Sequence, residues 1–260
     1  MVFSVIMSVY NDENYVSEAI ESVLNQSFKD FEFIIIDDFS TDKTTNIIKS
    51  YKKKDPRIKV KFNKKNKGLT PNLNCAVSIA KGSWIVRQDS DDFSLEDRLK
   101  DAFNSIKKNQ FDFYSTPAQV MPKTVNKIIP GYLTRSFFNE NFLNFKNPLI
   151  HGTLIIRRTI LKKIKYDERY KYSQDFKLYH DLLNNGYRLF YNKNSITYLF
   201  RVHENQLSKI KNTEQLYFFN KTLVFYGFKK QNLGFINRLL NKFNELKIIL
   251  NDFIRRGISS

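Results

Sequence analysis

Residues Trp84 to Arg98 read WIVRQDSDDFSLEDR. The apolar start has the character of a strand, and it runs straight into three carboxylates, Asp89, Asp91 and Asp92. Working outward, the same kind of unit recurs upstream. Val2 to Tyr10 is mostly apolar and β-branched, as buried strands are. FEFIIID, residues 31–37, is a second strand, and IKVKF, residues 58–62, alternates as a third. Between them lie helical spacings. Asn14–Leu24 carries Tyr15, Val16, Ala19, Ile20, Val23 and Leu24 on one side, with Glu18 and Glu21 on the wet side. STDKTTNIIKSY opens with capping residues, and Thr70–Ala80 has Pro71 near its start, where proline is tolerated. Four strands alternating with three helices predict an α/β fold with a parallel sheet and helices on both faces.

Open parallel sheets bind ligands outside the carboxyl ends of their strands. Three polar groups sit at such ends: Ser8 with Tyr10 and Asn11, Asp37 with Asp38, and Asp89 to Asp92. Their shared placement predicts one crevice. Downstream, residues 94–109 read as a helix and 110–148 as irregular. Residues 151–158, HGTLIIRR, read as a strand, 173–186 as a helix, and 187–203 return to strand character.

The chain has a net charge of +17 and a single cysteine, Cys75, so no internal disulfide forms and a reducing compartment, the cytosol, is expected. The N-terminal apolar stretch is too short to span a bilayer and lacks a basic leader. Residues 49–67 hold ten basic side chains against Asp55 alone. Such an excess attracts polyanions of several kinds, or simply forms a solvated face. Phe235–Arg256 places nine large apolar residues, from Ile236 to Ile254, at helical spacing with Arg and Lys between them. This basic amphipathic helix suits either the face of an anionic membrane or packing onto the domain.

Carboxylates at a strand end in so basic a chain point to a divalent cation, since Mg²⁺ and Mn²⁺ take oxygen ligands and are commonly held by one or two carboxylates plus substrate phosphates. On an extended chain, D-x-D spacing turns Asp89 and Asp91 to the same side and Asp92 to the other. The competing reading is structural: Asp91, Asp92 or Ser94 would cap the following helix. Asp175 opens a helix, where an acid complements the helix dipole. Arg201 and His203, in YLFRVHENQLS, form a further polar group after a strand.

Taken in order, these pieces resemble a family 2 glycosyltransferase of the GT-A fold. The opening through FSTDKT, the block NKGLTPNLNCAVSIAKGSWIVRQDSDD, the later SQDFKLY and the closing RVHENQLS are each similar to the family's motifs, over residues 3 to about 208. The resemblance implies a GT-A domain over 1–210, with a mostly parallel sheet flanked by helices, and a basic helical C-terminal extension over 211–260. It implies an inverting, metal-dependent enzyme that uses a UDP-sugar. Ser8 and Tyr10 would meet the nucleotide base and Asp38 would accept the uracil ring N–H. Asp91 would hold Mn²⁺ or Mg²⁺, with Asp89 and Asp92 supporting the metal, ribose or sugar. Arg201, His203 and Ser208 match a loop over the diphosphate, with His203 within reach of the metal. Lys67 and Arg87 are further candidates for phosphate contacts. Asp175 matches the general base.

Two positions depart from the family: Gln174 stands where Glu is common, and Phe39 where Gly is commoner. The expected partners are a UDP-sugar, a saccharide or lipid-linked glycan acceptor, and an anionic inner-membrane surface met through residues 233–260. A nucleic-acid-binding protein is disfavoured because the aromatics sit at core spacing and no nucleic-acid motif occurs. A nucleotidyltransferase would want a Gly-rich phosphate loop after the first strand, and SVYNDENY has none.

Overall fold

The computed structural model describes residues 1–122, 126–136, 138, 140, 143, 147–204 and 212–226. Ser208 and the amphipathic stretch 235–256 lie outside the described residues. Strands β1 (Phe3–Val9), β2 (Phe31–Asp37), β3 (Ile58–Phe62) and β4 (Trp84–Arg87) pair in parallel in the order β4-β1-β2-β3. Helices α1 (Val16–Leu24), α2 (Thr44–Lys54) and α3 (Leu69–Ile79) make the crossovers. Strand order therefore reverses between β1 and β4, and a ligand crevice belongs at the carboxyl ends there.

The sheet continues beyond β4 with a strand of opposite direction. β9 (Ile155–Arg157) runs antiparallel between β4 and β6 (Phe113–Ser115), and β10 (Leu189–Tyr191) lies parallel to β6. A second, four-stranded sheet has the order β5 (Phe93–Ser94), β11 (Tyr198–Arg201), β7 (Ala118–Met121), β8 (Ile128–Ile129). The remaining helices are α4 (Arg98–Lys108), α5 (Tyr132–Ser136), α6 (Arg158–Ile164), α7 (Gln174–Asn184) and α8 (Asn212–Phe225). No helix of the described residues is long and apolar enough to cross a membrane.

The sheet's two faces follow from side-chain alternation along each strand. Phe3, Val5, Met7 and Val9 of β1 join Val16 and Ile20 of α1, Ile48 of α2 and Leu99 of α4 in one apolar cluster. Ile6, with Ile34 and Ile36 of β2, packs under Leu73 of α3, Leu161 of α6 and Phe176 of α7 in the other. Each such buried side chain contributes about 1.5–3 kcal/mol. α8 packs on α7 through the stacked rings of Phe219 and Phe176, 4.3 Å between centroids.

Three expectations shift. Residues 151–158 are not one strand: His151–Thr153 make a single 3₁₀ turn, and α6 starts directly after β9. The backbone N–H of Arg158 bonds Ser83 O at 2.9 Å, and Ile160, Leu161 and Ile164 then recur at helical spacing. The helix expected from residue 94 starts at Arg98, because Ser94 pairs with Tyr198 and Leu95 N–H donates to Thr197 O. The segment taken as irregular contains β6, β7 and β8, which are two to four residues long and too short for periodicity to reveal.

Gly82, which leads into β4, has no room for a side chain. A Cβ there would lie 2.4 Å from the carbonyl carbon of Phe3 and 2.5 Å from the nitrogen of Ser4, both backbone atoms that have little freedom to yield. Gly82→Ala is expected to destabilise the fold by about 3 kcal/mol, at the upper end of ordinary overpacking. Urea denaturation of the purified variant measures it.

Candidate active site

Two polar networks meet at the carboxyl ends of β1, β2 and β4. The first centres on Asp38, which is 2% exposed. Its carboxylate accepts Asn63 Nδ2 and the backbone N–H groups of Lys67 and Gly68, each at 2.8 Å. Asn63 also donates to Asn72 Oδ1 at 2.7 Å, and Asn72 Nδ2 donates to Ser8 Oγ at 3.2 Å. Ser8 and Asp38 thus belong to one chain of hydrogen bonds. A carboxylate offers about four acceptor positions, so Asp38 has capacity for one ligand N–H. Tyr10, just after β1, is half exposed. Lys67 contributes its backbone N–H here, while its side chain is exposed. Phe39 has φ 69° and is 49% exposed. A left-handed φ is costly for a bulky residue, which explains why glycine suits this position.

The second network is the acidic turn after β4. The chain does not stay extended there: Asp92 N–H bonds Asp89 O at 3.4 Å across a turn at Ser90–Asp91. The alternation that would turn Asp89 and Asp91 to one side therefore does not apply, and each acid has its own partner. Asp89 pairs with Arg87. Asp91 Oδ2 lies 2.9 Å from His203 Nε2. Asp92 is buried and accepts the Arg201 N–H at 2.8 Å. None of these acids nor Ser94 caps a helix, since α4 begins at Arg98 and Ser94 Oγ donates to Gln88 Oε1.

Arg87, expected at a phosphate, is only 1% exposed, and its guanidinium faces Asp89 and the carbonyls of Gln88 and Ile6. Its placement makes it a support for Asp89.

Two residues that the sequence reading passed over brace this turn. Gln88 Nε2 donates to the carbonyls of Asp89 and Asp92 at 3.0 and 3.1 Å. Arg98 donates to Gln88 Oε1, Ser94 Oγ, Arg87 O and Gly152 O at 2.6–3.0 Å and stacks over Tyr198. Burial lowers its pKa to about 10, still far above neutrality. Arg98→Met keeps the packing but takes the side-chain donor from Arg87 O and Gly152 O, at about 1–3 kcal/mol each, while Gln88 Oε1 keeps the Ser94 hydroxyl. A loss of about 3 kcal/mol or more is expected, read from chemical denaturation.

The carboxylates crowd one another. Burial raises Asp92 well above its ordinary pKa, and the charges of Asp91 and Asp89 add to it. Burial also raises Asp89, against the pull of Arg87. Asp12 was missed as well. Burial pushes it up to about 6, against a hydrogen bond from Ser90 and with a further push from Asp91. Its only sequence signal is its place just after β1.

Asp175 is the second residue of α7 and accepts Asn147 Nδ2 at 2.7 Å. Burial raises its pKa, hydrogen bonds from the Phe176 N–H and Asn147 oppose this, and the charge of Asp89 adds to it. Ser173, preceding it in the left-handed region at φ 51°, sets the sharp entry to the helix. Tyr179 Oη and Arg87 Nε are buried with no hydrogen-bond partner among the described residues. His151 bonds Tyr166 Oη at 2.9 Å, and burial lowers its pKa, so it stays neutral as a structural residue.

Among the described residues, no three His, Cys, Asp or Glu side chains form a metal-holding group. Asp89 does not join Asp91 and His203, because Arg87 holds it. A carboxylate with an adjacent imidazole still fits Mn²⁺ or Mg²⁺, which complete their shells with substrate phosphate oxygens and water.

The sequence matches Glycosyl transferase family 2 over residues 4–165. An uncharacterised glycosyltransferase of Methanocaldococcus jannaschii is 35% identical over 214 residues, covering 80% of this chain and 74% of that one. The Escherichia coli UDP-Glc:alpha-D-GlcNAc-diphosphoundecaprenol beta-1,3-glucosyltransferase WfaP is 31% identical, over 80% of each chain. Staphylococcus aureus TarS 1–349, solved in complex with UDP-GlcNAc, superposes with a TM-score of 0.68 at 27% identity, covering 79% of this chain and 60% of that one. The fold is thus GT-A, a mostly parallel sheet flanked by helices. The chain belongs to glycosyl transferase family 2 and is a glycosyltransferase, and a further relative, 31% identical, is the minor teichoic acid biosynthesis protein GgaB of Bacillus subtilis.

Proposed function

We propose that the enzyme transfers a hexosyl or N-acetylhexosaminyl group from a UDP-sugar to a hydroxyl of a saccharide or lipid-linked glycan, with inversion, in surface-polysaccharide or lipo-oligosaccharide synthesis. The observation that supports this reading is the placement of the acidic turn at the carboxyl end of β4, beside β1 and its Ser8–Asp38 network. In this reading Asp38 and Ser8 serve the nucleotide, the Asp91–His203 pair the cation, and Asp175, bonded to Asn147 at the start of α7, the acceptor. Asp38 has an acceptor position for the uracil N–H, and Ser8 and Tyr10 border the base. Asp91 and His203 would hold the cation. A divalent cation bound there supplies Lewis-acid stabilisation of the departing diphosphate. Arg87 pairs with Asp89 and holds it in place for the sugar. Lys67 and Ser208 remain candidates for the diphosphate.

Asp175 takes the proton from the acceptor hydroxyl as its oxygen attacks the anomeric carbon on the face opposite UDP. A base is required because a protonated sugar hydroxyl is a poor nucleophile. Gln174 carries no charge beside it, which shapes the choice of acceptor. The UDP-Glc and diphosphoundecaprenol in the name of WfaP and the UDP-GlcNAc bound to TarS support this donor and acceptor class.

A hydrolysis and transfer screen across UDP-Glc, UDP-Gal, UDP-GlcNAc and UDP-GalNAc with Mn²⁺ tests the proposal, and no turnover with any UDP-sugar rejects it. Residues 212–225 pack on α7 with the catalytic domain, and the basic stretch 233–260 would place the enzyme on the anionic inner leaflet of the plasma membrane. Deleting 233–260 should release the protein from anionic vesicles. A deletion variant that stays bound, or a full-length chain that never binds, rejects the membrane role.

A further inference from the structure

The acidic turn is gripped by a residue far from it in sequence. Arg201 donates its backbone N–H to Asp92 Oδ1 at 2.8 Å and its Nε–H to Asp91 O at 2.7 Å. Its guanidinium pairs with Glu18 in the first turn of α1 and lies over the ring of Tyr15, 4.7 Å from the centroid. The same Tyr15 ring meets the imidazole of His203, with centroids 5.0 Å apart. Tyr15 and Glu18, at the start of α1, therefore support both the arginine that fixes the backbone of Asp91 and the histidine that meets its carboxylate.

We propose that Arg201 is a positioning residue. Held between Glu18 and Tyr15, it sets the Asp91 carbonyl, and with it the Asp91–His203 pair, in the geometry that accepts a divalent cation. Its charge is balanced by Glu18 and is not directed at the diphosphate. This inference rests on the reading of Asp91 and His203 as the cation-holding pair. The physical argument is one of geometry. Arginine's planar fork suits simultaneous contact with a carboxylate, a carbonyl and an aromatic face, which lysine's ammonium cannot reproduce. Groups that orient metal ligands typically control metal affinity by about 10- to 100-fold. Glu18 is 57% exposed, and exposed ion pairs contribute little to stability, so removing it tests positioning without unfolding the chain.

The test is calorimetric titration of UDP into the full chain, in MnCl₂ and in EDTA. The variants are Glu18→Gln, Glu18→Asp, Tyr15→Leu and Arg201→Gln. The expected result is that Glu18→Gln and Tyr15→Leu each reduce the Mn²⁺-dependent gain in UDP affinity by about tenfold. Glu18→Asp restores part of it, and UDP affinity in EDTA stays at the wild-type value in every variant, Arg201→Gln included. An unchanged Mn²⁺-dependent gain in both Glu18→Gln and Tyr15→Leu overturns the positioning role. A loss of UDP affinity in EDTA on Arg201→Gln overturns it too, because the arginine would then touch the diphosphate itself. If wild-type protein shows no Mn²⁺-dependent gain, the reading of Asp91–His203 fails first and the inference falls with it.

Discussion

Asparagine in place of Asp175 is expected to lower kcat by about 10²- to 10⁴-fold, the usual contribution of a positioned general base, while UDP binds as in the wild type. The substitution is nearly isosteric, and Asn147 can still donate to the remaining side-chain oxygen, so α7 should start in the same place. Binding of UDP is unaffected because the base-side network of Asp38, Asn63, Asn72 and Ser8 does not include Asp175. Paired kcat and calorimetric measurements check the two halves separately. Full activity in Asp175→Asn would remove the base from the mechanism.

The pH profile gives an independent reading of the same residue. Asp175 works deprotonated, and burial raises its pKa. Wild-type kcat/KM should therefore fall as the pH drops through a value above that of an ordinary carboxylate. The Asn147 amide donates to the charged form and so favours it. Asn147→Ala removes that donor and should move the acid limb to higher pH. A limb that stays in place would mean that Asn147 does not face the ionised base.

Much of this architecture is legible in the chain because local and global signals agree. β1, β2 and β4 are nearly uninterrupted apolar runs, α1 has clear helical spacing, and the polar residues that end each strand fall at the carboxyl edge of the sheet. What is not legible depends on partners distant in sequence. β9 reverses direction between β4 and β6 because it pairs with Trp84–Val86 on one side and Phe113–Tyr114 on the other, and a three-residue strand carries no directional signal. Arg98 reads as a helix-surface residue, yet it reaches Gly152 O and Arg87 O and is 3% exposed. The acids were found by composition and placement, but their division of labour was not. The period-two argument holds only while a chain stays extended, and this one turns at Ser90.

Alanine at Asp91 should separate activity from stability. Transition-state stabilisation by a metal is worth several kcal/mol, so removing the carboxylate that holds it is expected to lower kcat/KM by about 10³-fold or more. The Mn²⁺-dependent part of UDP affinity should disappear with it. The fold should not suffer. Asp91 is 21% exposed, and its carboxylate meets His203, itself 17% exposed, so no deeply buried group loses its partner. Removal also lifts a like charge from beside Asp89 and Asp92, both of which it perturbs. Thermal midpoints equal to or above the wild type are therefore expected. Asp92 should behave in the opposite way: its buried carboxylate receives the Arg201 N–H, and its loss leaves that donor unpaired inside the protein. Measuring kcat/KM, UDP affinity with and without Mn²⁺, and thermal midpoint on Asp91→Ala and Asp92→Ala decides the assignment. Full activity in Asp91→Ala, or an equal loss of stability in both variants, would show that Asp91 is a structural acid of the turn and that the cation, if one is used, is held elsewhere.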